Sequence, residues 1–449
     1  MSDDKVYLSY CPRLASSLSL HPLEIEGKPY FHITDLRHIA SSPLIVPQPL
    51  MGVLSRFDGL HSLEEILKEF FPYGLEERVL FQLFVDLERM MFLETASREQ
   101  RWNALKLEYR QSAERPVSHA GAVYPESEGE LASFLDNLRK RSKEVVVQSQ
   151  DWESRLTDNG SYGLDVAAKF PSRGGSPHRG FAPQTEVGTV RGVISPHIDY
   201  RRGYASYGVV SEMLRKLPSP DLILLVGTCH SAMDGFAVLS DKDYLFPGGN
   251  LSGRIVREYN FPEWVFAEEI LHAKEHSLEL QLPLIGDAWN SQPCICPLLV
   301  GSLHESIFEK TEPASSHPFY DWVKLLAEFI DGLENSGVNL FLYLGVDLAH
   351  MGRHFGDTQS LQPKDRKFIA EEDLEFLQLV LHGSASEVFK HVARDGDRRR
   401  ICGFSSLYFM KKVFEQRGCQ FGGDILDYRQ SYDAGEDCLV TFAASSLSW

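Results

Sequence analysis

The sequence predicts an α/β protein with a mainly parallel sheet covered by helices on both faces, preceded by a small N-terminal winged-helix-like α+β module. Two observations carry this. Four near-continuous apolar runs alternate with helical stretches after residue 190, and the first 112 residues carry a separate amphipathic pattern of their own. Strands buried on both faces read as unbroken apolar runs, and their alternation with helices builds a sheet covered on both sides.

The module is assigned to residues 1–112 and the main domain to residues 113–449. Within the module, GLHSLEEILKEFF sets Leu63, Ile66, Leu67 and Phe70 at helical spacing. Ser62 followed by Glu65 makes a capping box at the start of that helix. A second amphipathic helix is expected over 76–91, with Val79, Leu80, Leu83, Phe84 and Leu87 inward, and 92–95 reads as a short strand. Helix, turn, helix, strand is a winged-helix-like order. It resembles the PqqD-like peptide-recognition modules, the alternative being a structural cap on the main domain.

Residues 139–190 are polar and rich in Gly, Ser and Pro, and read as a long surface insertion. The buried strands follow at 192–195 (GVIS), 222–227 (LILLVG), 295–301 (ICPLLVG) and 339–345 (NLFLYLG), with helices expected over 204–217 and 319–333.

Composition narrows the function. Hydrophobic residues make up 43% of the 449 and charged residues 24%, enough for a large core in a soluble chain. The net charge of -18 argues against a nucleic-acid partner and against an anionic membrane surface. The opening MSDDKVYLSYCPRL lacks the apolar segment of a secretory signal, and no apolar run approaches the roughly 20 residues of a membrane helix, so a cytoplasmic location is expected. Seven scattered cysteines with no C-x-x-C pair suit neither a disulfide framework nor a zinc knuckle.

Chemistry gathers where the apolar runs stop. VISPH ends on His197, LILLVGTCH on Cys229 and His230, and FLYLGVDLAHMG on Asp347 and His350. The carboxyl edge of a parallel sheet is where ligand sites form. Neutral imidazole is the commonest protein ligand for zinc, copper, nickel or iron. Three convergent imidazoles with a carboxylate or a thiolate would make a mononuclear site. Asp347 is either that carboxylate or the group that fixes a histidine tautomer; Cys402, in RICGFSS, is the candidate thiolate. A lone histidine at a strand end is ordinarily a hydrogen-bonded rim residue, and a lone cysteine a small buried apolar one. It is the repetition that favours a site. Cys294 and Cys296 alternate along one strand and are given no role.

Three further stretches contribute. KEHSLELQLPLI puts His276 and Glu279 on one helical face, an acid/base or orienting pair. SHAGAVYPES sets His119 beside small residues that permit close backbone approach. ISPHIDYRRGY follows His197 with Asp199, Tyr200, Arg201 and Arg202 as pocket candidates.

Taken in order, SHAGAVYP, ISPHIDY, GTCHSA, EHSLELQLP, LVGSL, VDLAHMGRHF and CGFSS resemble the motifs of the Memo family, also called AmmeMemoRadiSam system protein B, over about residues 115–449. The resemblance implies a fold like that of the class III extradiol dioxygenases, with metal-proximal residues at His197, His230 and Cys402. It places Asp347, His350, His276 and Glu279 around the same pocket. A thiolate where the dioxygenases have a carboxylate implies a softer, redox-capable metal: one ion of Fe(II) or Cu, with Zn as the alternative. The implied function is redox or oxygenase-like, on a small-molecule or peptide substrate, with radical-SAM and AMMECR-type proteins as associated partners.

Two other functions compete. One is a peptide- or phosphopeptide-binding module using Arg201 and Arg202; the other is a metal-dependent hydrolase. The chain departs from the family pattern at Ile198 and Asp199, where small residues are usual, and at Ser231, Gln281 and Met351.

Overall fold

The structure is a computed structural model that describes residues 6–40, 42–148, 160–163, 190–289 and 291–449. The chain divides into two compact units. One runs to Gln111 and also takes in His230–Ala232; the other comprises Ser112–Cys229 and Met233–Trp449.

The first unit opens with an antiparallel sheet of β1 (Leu18–Ile25), β2 (Lys28–Asp35) and β3 (Leu44–Pro47). Glu26 and Gly27 turn β1 into β2, both at positive φ (52° and 74°), the two-residue hairpin whose twist suits the flanking strands. The helices Leu63–Phe70, Glu77–Arg89 and Ala96–Gln111 follow. The expected capping box is present, Ser62 accepting from the Glu65 N–H and Glu65 from the Ser62 N–H. Leu63, Ile66, Leu80 and Leu87 fill the core with Ile33, Val46, Phe92 and Leu93. The strand expected over 92–95 is reduced to a single bridge between Leu93 and Leu14, because the chain re-enters a helix at Ala96.

The second unit is α/β, built on a mixed sheet. Its small strands are β4 (Glu114–Arg115), β9 (Asp243–Phe246) and β10 (Gly249–Leu251), which form a sheet of their own in the order β10-β9-β4. The main sheet contains β5 (Gly160–Gly163), β6 (Gly192–Ser195), β7 (Leu222–Thr228), β8 (Ala237–Leu239), β11 (Cys294–Val300), β12 (Leu340–Gly345), β14 (Ile425–Asp433) and β15 (Cys438–Leu447), with β13 (His350–Met351) paired to β15. Its order is β5-β14-β15-β6-β12-β7-β11-β8.

The four apolar runs are the parallel centre, β6-β12-β7-β11. On both sides of that centre the pairing turns antiparallel, β8 on β11 at one edge and β15, β14 and β5 at the other. The sheet is therefore mixed rather than mainly parallel. β14 and β15 interrupt their apolar residues with buried polar ones. Asp427, Arg429, Gln430 and Thr441 are buried in β14 and β15. Their hydrogen bonds include Arg429 Nε on Asp427 at 2.8 Å and Gln430 Nε2 on the Arg366 carbonyl at 2.8 Å.

Residues 139–148 complete the helix Glu128–Gln148, where Arg139 is buried and bonds Ser211 Oγ at 3.0 Å and Asp287 at 2.5 Å. Gly160–Gly163 pairs with β14. The rest of the expected insertion lies outside the described residues. Among the described residues no helix is long and apolar enough to cross a membrane.

Candidate metal centre

β6, β12 and β7 lie side by side and parallel, so their carboxyl ends open on one edge. Gly345, the last residue of β12, and Gly227, the last but one of β7, are both required by packing. A Cβ on Gly345 would lie 2.4 Å from the Ser277 carbonyl, and one on Gly227 2.4 Å from Ser277 Oγ. The short helix His276–Glu279 thus rests directly on the strand ends, with Ser277 Oγ donating to the Thr228 carbonyl at 2.8 Å.

At that edge His197, His230 and Cys402 each offer a ligand atom, all within 4.8 Å of one another. His197 is 2% exposed. Its Nδ1 lies 3.0 Å from the Gly345 carbonyl, which makes Nδ1 the protonated nitrogen. Nε2 therefore carries the lone pair, and it faces Cys402 Sγ at 3.2 Å. Asp347 holds the His197 main chain, accepting its N–H at 2.9 Å, with Oδ2 3.8 Å from Nε2. Such partners fix ring orientation and raise ligand basicity.

Cys402 is carried in from the far end of the chain, just before the helix Phe404–Gln416. Thr228 Oγ1 donates to its carbonyl at 3.1 Å, and the following Gly403 donates its N–H to the Asp347 carbonyl at 3.1 Å. A Cβ on Gly403 would meet that carbonyl at 2.6 Å, which explains the Cys-Gly order. Burial, and next the charge of Asp347, pushes the Cys402 thiol well up. A bound cation reverses that by stabilising the thiolate. Two imidazoles and a thiol with donor atoms within 4.8 Å of one another, one ring fixed in the ligating tautomer, suit a soft or borderline metal ion.

The other expected residues fall in four places. His276 stands beside the group, its ring 5.2 Å from that of His197 and its Nδ1 3.2 Å from Glu275 Oε1. Together with His230 and Glu275 it makes a second set of mutually close donor atoms. Glu275, which caps the short helix by accepting from the Ser277 N–H at 2.9 Å, is the residue that pattern reading overlooked.

Glu279 shares the helix but is fully buried and serves as an anchor. It accepts from Arg115 at 2.6 Å, the His119 N–H at 2.7 Å, the Ser118 N–H at 3.0 Å, Tyr124 OH at 2.7 Å and His119 Nδ1 at 3.1 Å. Burial alone would raise its pKa, but the His119 hydrogen bond, the Arg115 charge and the Tyr124 hydroxyl together bring it down to about 2. A carboxylate held ionised this firmly is poorly suited to donate a proton; it orients His119, whose ring lies 6.1 Å from that of His276.

His350 is not brought into the group. Among the described residues it belongs to no cluster of close donor atoms. Its Nδ1 lies 3.1 Å from the Leu348 carbonyl, and its main chain is drawn into β13.

Asp199 and Tyr200 have structural posts. Asp199 is the N-cap of the helix Tyr200–Leu214, accepting from the Arg201 and Arg202 N–H groups at 3.0 and 3.2 Å, a role its position before a helix already signals. Tyr200 is buried in an aromatic cluster, 4.3 Å from Tyr207, and its hydroxyl donates to the Leu280 carbonyl. Arg202 Nε donates to Ser431 Oγ at 2.9 Å.

The unusual residues also find local roles. Ile198 packs where a Cβ on Gly203 would touch it at 2.7 Å. Gln281 ties β6 to the short helix, accepting from Ser195 Oγ at 2.9 Å and donating to the Pro196 carbonyl at 2.9 Å.

A mixed α/β sheet with two imidazoles and a thiol gathered past its parallel strand ends defines a class of protein with a candidate metal centre at the carboxyl edge. Comparison with known proteins gives the family. A family model described as Memo-like protein matches residues 177–446, and the chain belongs to that family. It is 24% identical over 416 residues to a MEMO1 family protein of Aquifex aeolicus, covering 90% of this chain and 92% of the relative. It is 26% identical over 384 residues to a MEMO1 family protein of Thermus thermophilus, covering 83% of this chain and 95% of the relative. A match over 90% of the chain necessarily reaches into the first unit, which runs to Gln111.

Proposed function

We propose that the protein is a metal-dependent redox protein holding one ion of iron or copper on His197, His230 and Cys402. The observation that carries this reading is the mutual proximity of these three donor atoms at the carboxyl edge of parallel strands. The ion would supply electron transfer or activation of a bound small molecule, the thiolate tilting the donor set toward softer, redox-active metals.

The chain's own residues do the rest. The Gly345 carbonyl keeps the proton of His197 on Nδ1, and Asp347 fixes the backbone that carries the ring. Glu279 locks the 115–124 segment so that His119 borders the same pocket as His276. A small-molecule or peptide substrate would enter from the exposed side, where His230 lies.

The test is elemental analysis of anaerobically purified protein, with His197→Ala beside it. One equivalent of iron or copper in the parent protein and none in the variant is the expected result. An unchanged metal content in the variant would sink the assignment.

A further inference from the structure

The pocket contains two sets of close donor atoms, and they share one residue. His197, His230 and Cys402 form the first; His230, Glu275 and His276 form the second, with ligand atoms likewise within 4.8 Å of one another. The sets differ in chemistry. The first offers a thiolate and two imidazoles, suited to Cu(I) and other soft ions. The second offers a carboxylate and two imidazoles, a harder set that suits Mn(II).

The second set rests on firm ground. Glu275 is 4% exposed. Its backbone is tied down by Arg115, whose Nη2 donates to the Glu275 carbonyl at 3.3 Å, and Arg115 is itself fully buried against Glu279. His276 begins the short helix packed on Gly227 and Gly345, so its main chain is as fixed as the strand ends beneath it. His197 and His276 meet edge to face at 5.2 Å, which puts the two donor sets side by side.

His230 is the pivot. A neutral imidazole carries one lone-pair nitrogen at a time, so it can ligate one ion at a time. We infer that the pocket has two alternative positions for a single ion, both using His230: a soft position completed by His197 and Cys402, and a hard position completed by Glu275 and His276. Which is filled depends on the metal. A change of the ion toward a softer state draws it to Cys402, and a harder ion settles on Glu275.

This inference rests on the reading that the pocket binds a metal, and the experiment separates the two. Apo-protein is loaded anaerobically with Cu(I) or with Mn(II). Binding is read by equilibrium dialysis with elemental analysis, and for Mn(II) also by loss of the free-ion EPR signal. Glu275→Gln and His276→Ala should weaken Mn(II) by at least about tenfold and leave Cu(I) within about twofold. Cys402→Ala and His197→Ala should do the reverse, and His230→Ala should weaken both. For the Glu275, His276, Cys402 and His197 variants the retained ion reports that the fold is intact, and for His230→Ala the circular dichroism spectrum does. With both ions present, total occupancy should stay at one.

Cu(I) bound through Cys402 with Mn(II) indifferent to Glu275→Gln and His276→Ala would overturn the second position alone. Two ions bound together would overturn the shared pivot. Uptake of neither ion by the parent protein would overturn both this inference and the proposed function.

Discussion

β6 and β7 each deliver a histidine two residues beyond their last strand residue, Ser195 to His197 and Thr228 to His230; β12 instead delivers a carboxylate there, Gly345 to Asp347. The histidine that follows β12 comes only at His350, already inside β13 and paired to Val440 of β15. The three strands are parallel neighbours, so equal distance past the strand end means equal access to the edge. The lesson is one of reach. Two residues beyond a strand end the donor atoms of His197 and His230 come together, whereas the main chain at His350 is already paired to β15.

The comparison breaks first at Asp347. If the residue two beyond β12 serves the centre through His197, Asp347→Asn should lower metal affinity by about ten- to a hundredfold, the range for partners that orient a ligating histidine. The amide keeps an oxygen to accept the His197 N–H but loses the charge. Metal titration of the apo-variant reads this directly, and an affinity within twofold of the parent would mean that Asp347 is a bystander.

The strand ends themselves offer a smaller test. β6 ends on Ser195, while β7 and β12 present Gly227 and Gly345 under the short helix. Gly345→Ala should cost about 1–3 kcal/mol, because its new methyl meets a backbone carbonyl that cannot rotate away. Gly227→Ala should cost less, since part of its clash is with the Ser277 hydroxyl, a side-chain group that can move. Urea unfolding of the two variants ranks them. Equal stability for Gly345→Ala and the parent would show that the helix is not seated on the strand end as described.

Much of this was legible in the sequence and some was not, for identifiable reasons. The four parallel strands announced themselves because both their faces are apolar. β14 and β15 did not, since Asp373 beneath them accepts from Tyr428 OH at 2.9 Å and Thr441 Oγ1 at 2.5 Å, and a polar network of that kind erases the hydrophobic signature of burial. The β1–β2 hairpin went unread although Glu26-Gly27 is a recognisable turn. The residues alone offer His197, His230 and Cys402 as candidate ligands, but only the family likeness sets Cys402 beside the two histidines, since nothing in its spacing ties it to strands more than a hundred residues earlier. Asp199 and Tyr200, expected to line the pocket, occupy a helix start, where one serves as its cap and the other is buried.

His350 gives the smallest expected effect and the sharpest form of the comparison. Its side chain makes a hydrogen bond to the Leu348 carbonyl at 3.1 Å and an edge contact with Phe355 at 5.2 Å, while its main chain is held independently by the Arg399 carbonyl and by Arg400. Removing the imidazole leaves those main-chain bonds in place. Loss of the Leu348 bond in His350→Ala should cost about 0.5–1.5 kcal/mol, the worth of an ordinary hydrogen bond, and metal content should stay at the parent level. Thermal unfolding and elemental analysis of the same preparation check both halves. A variant that loses its metal with little loss of stability would put His350 at the centre and overturn the rule that reach past the strand end decides which histidines belong there.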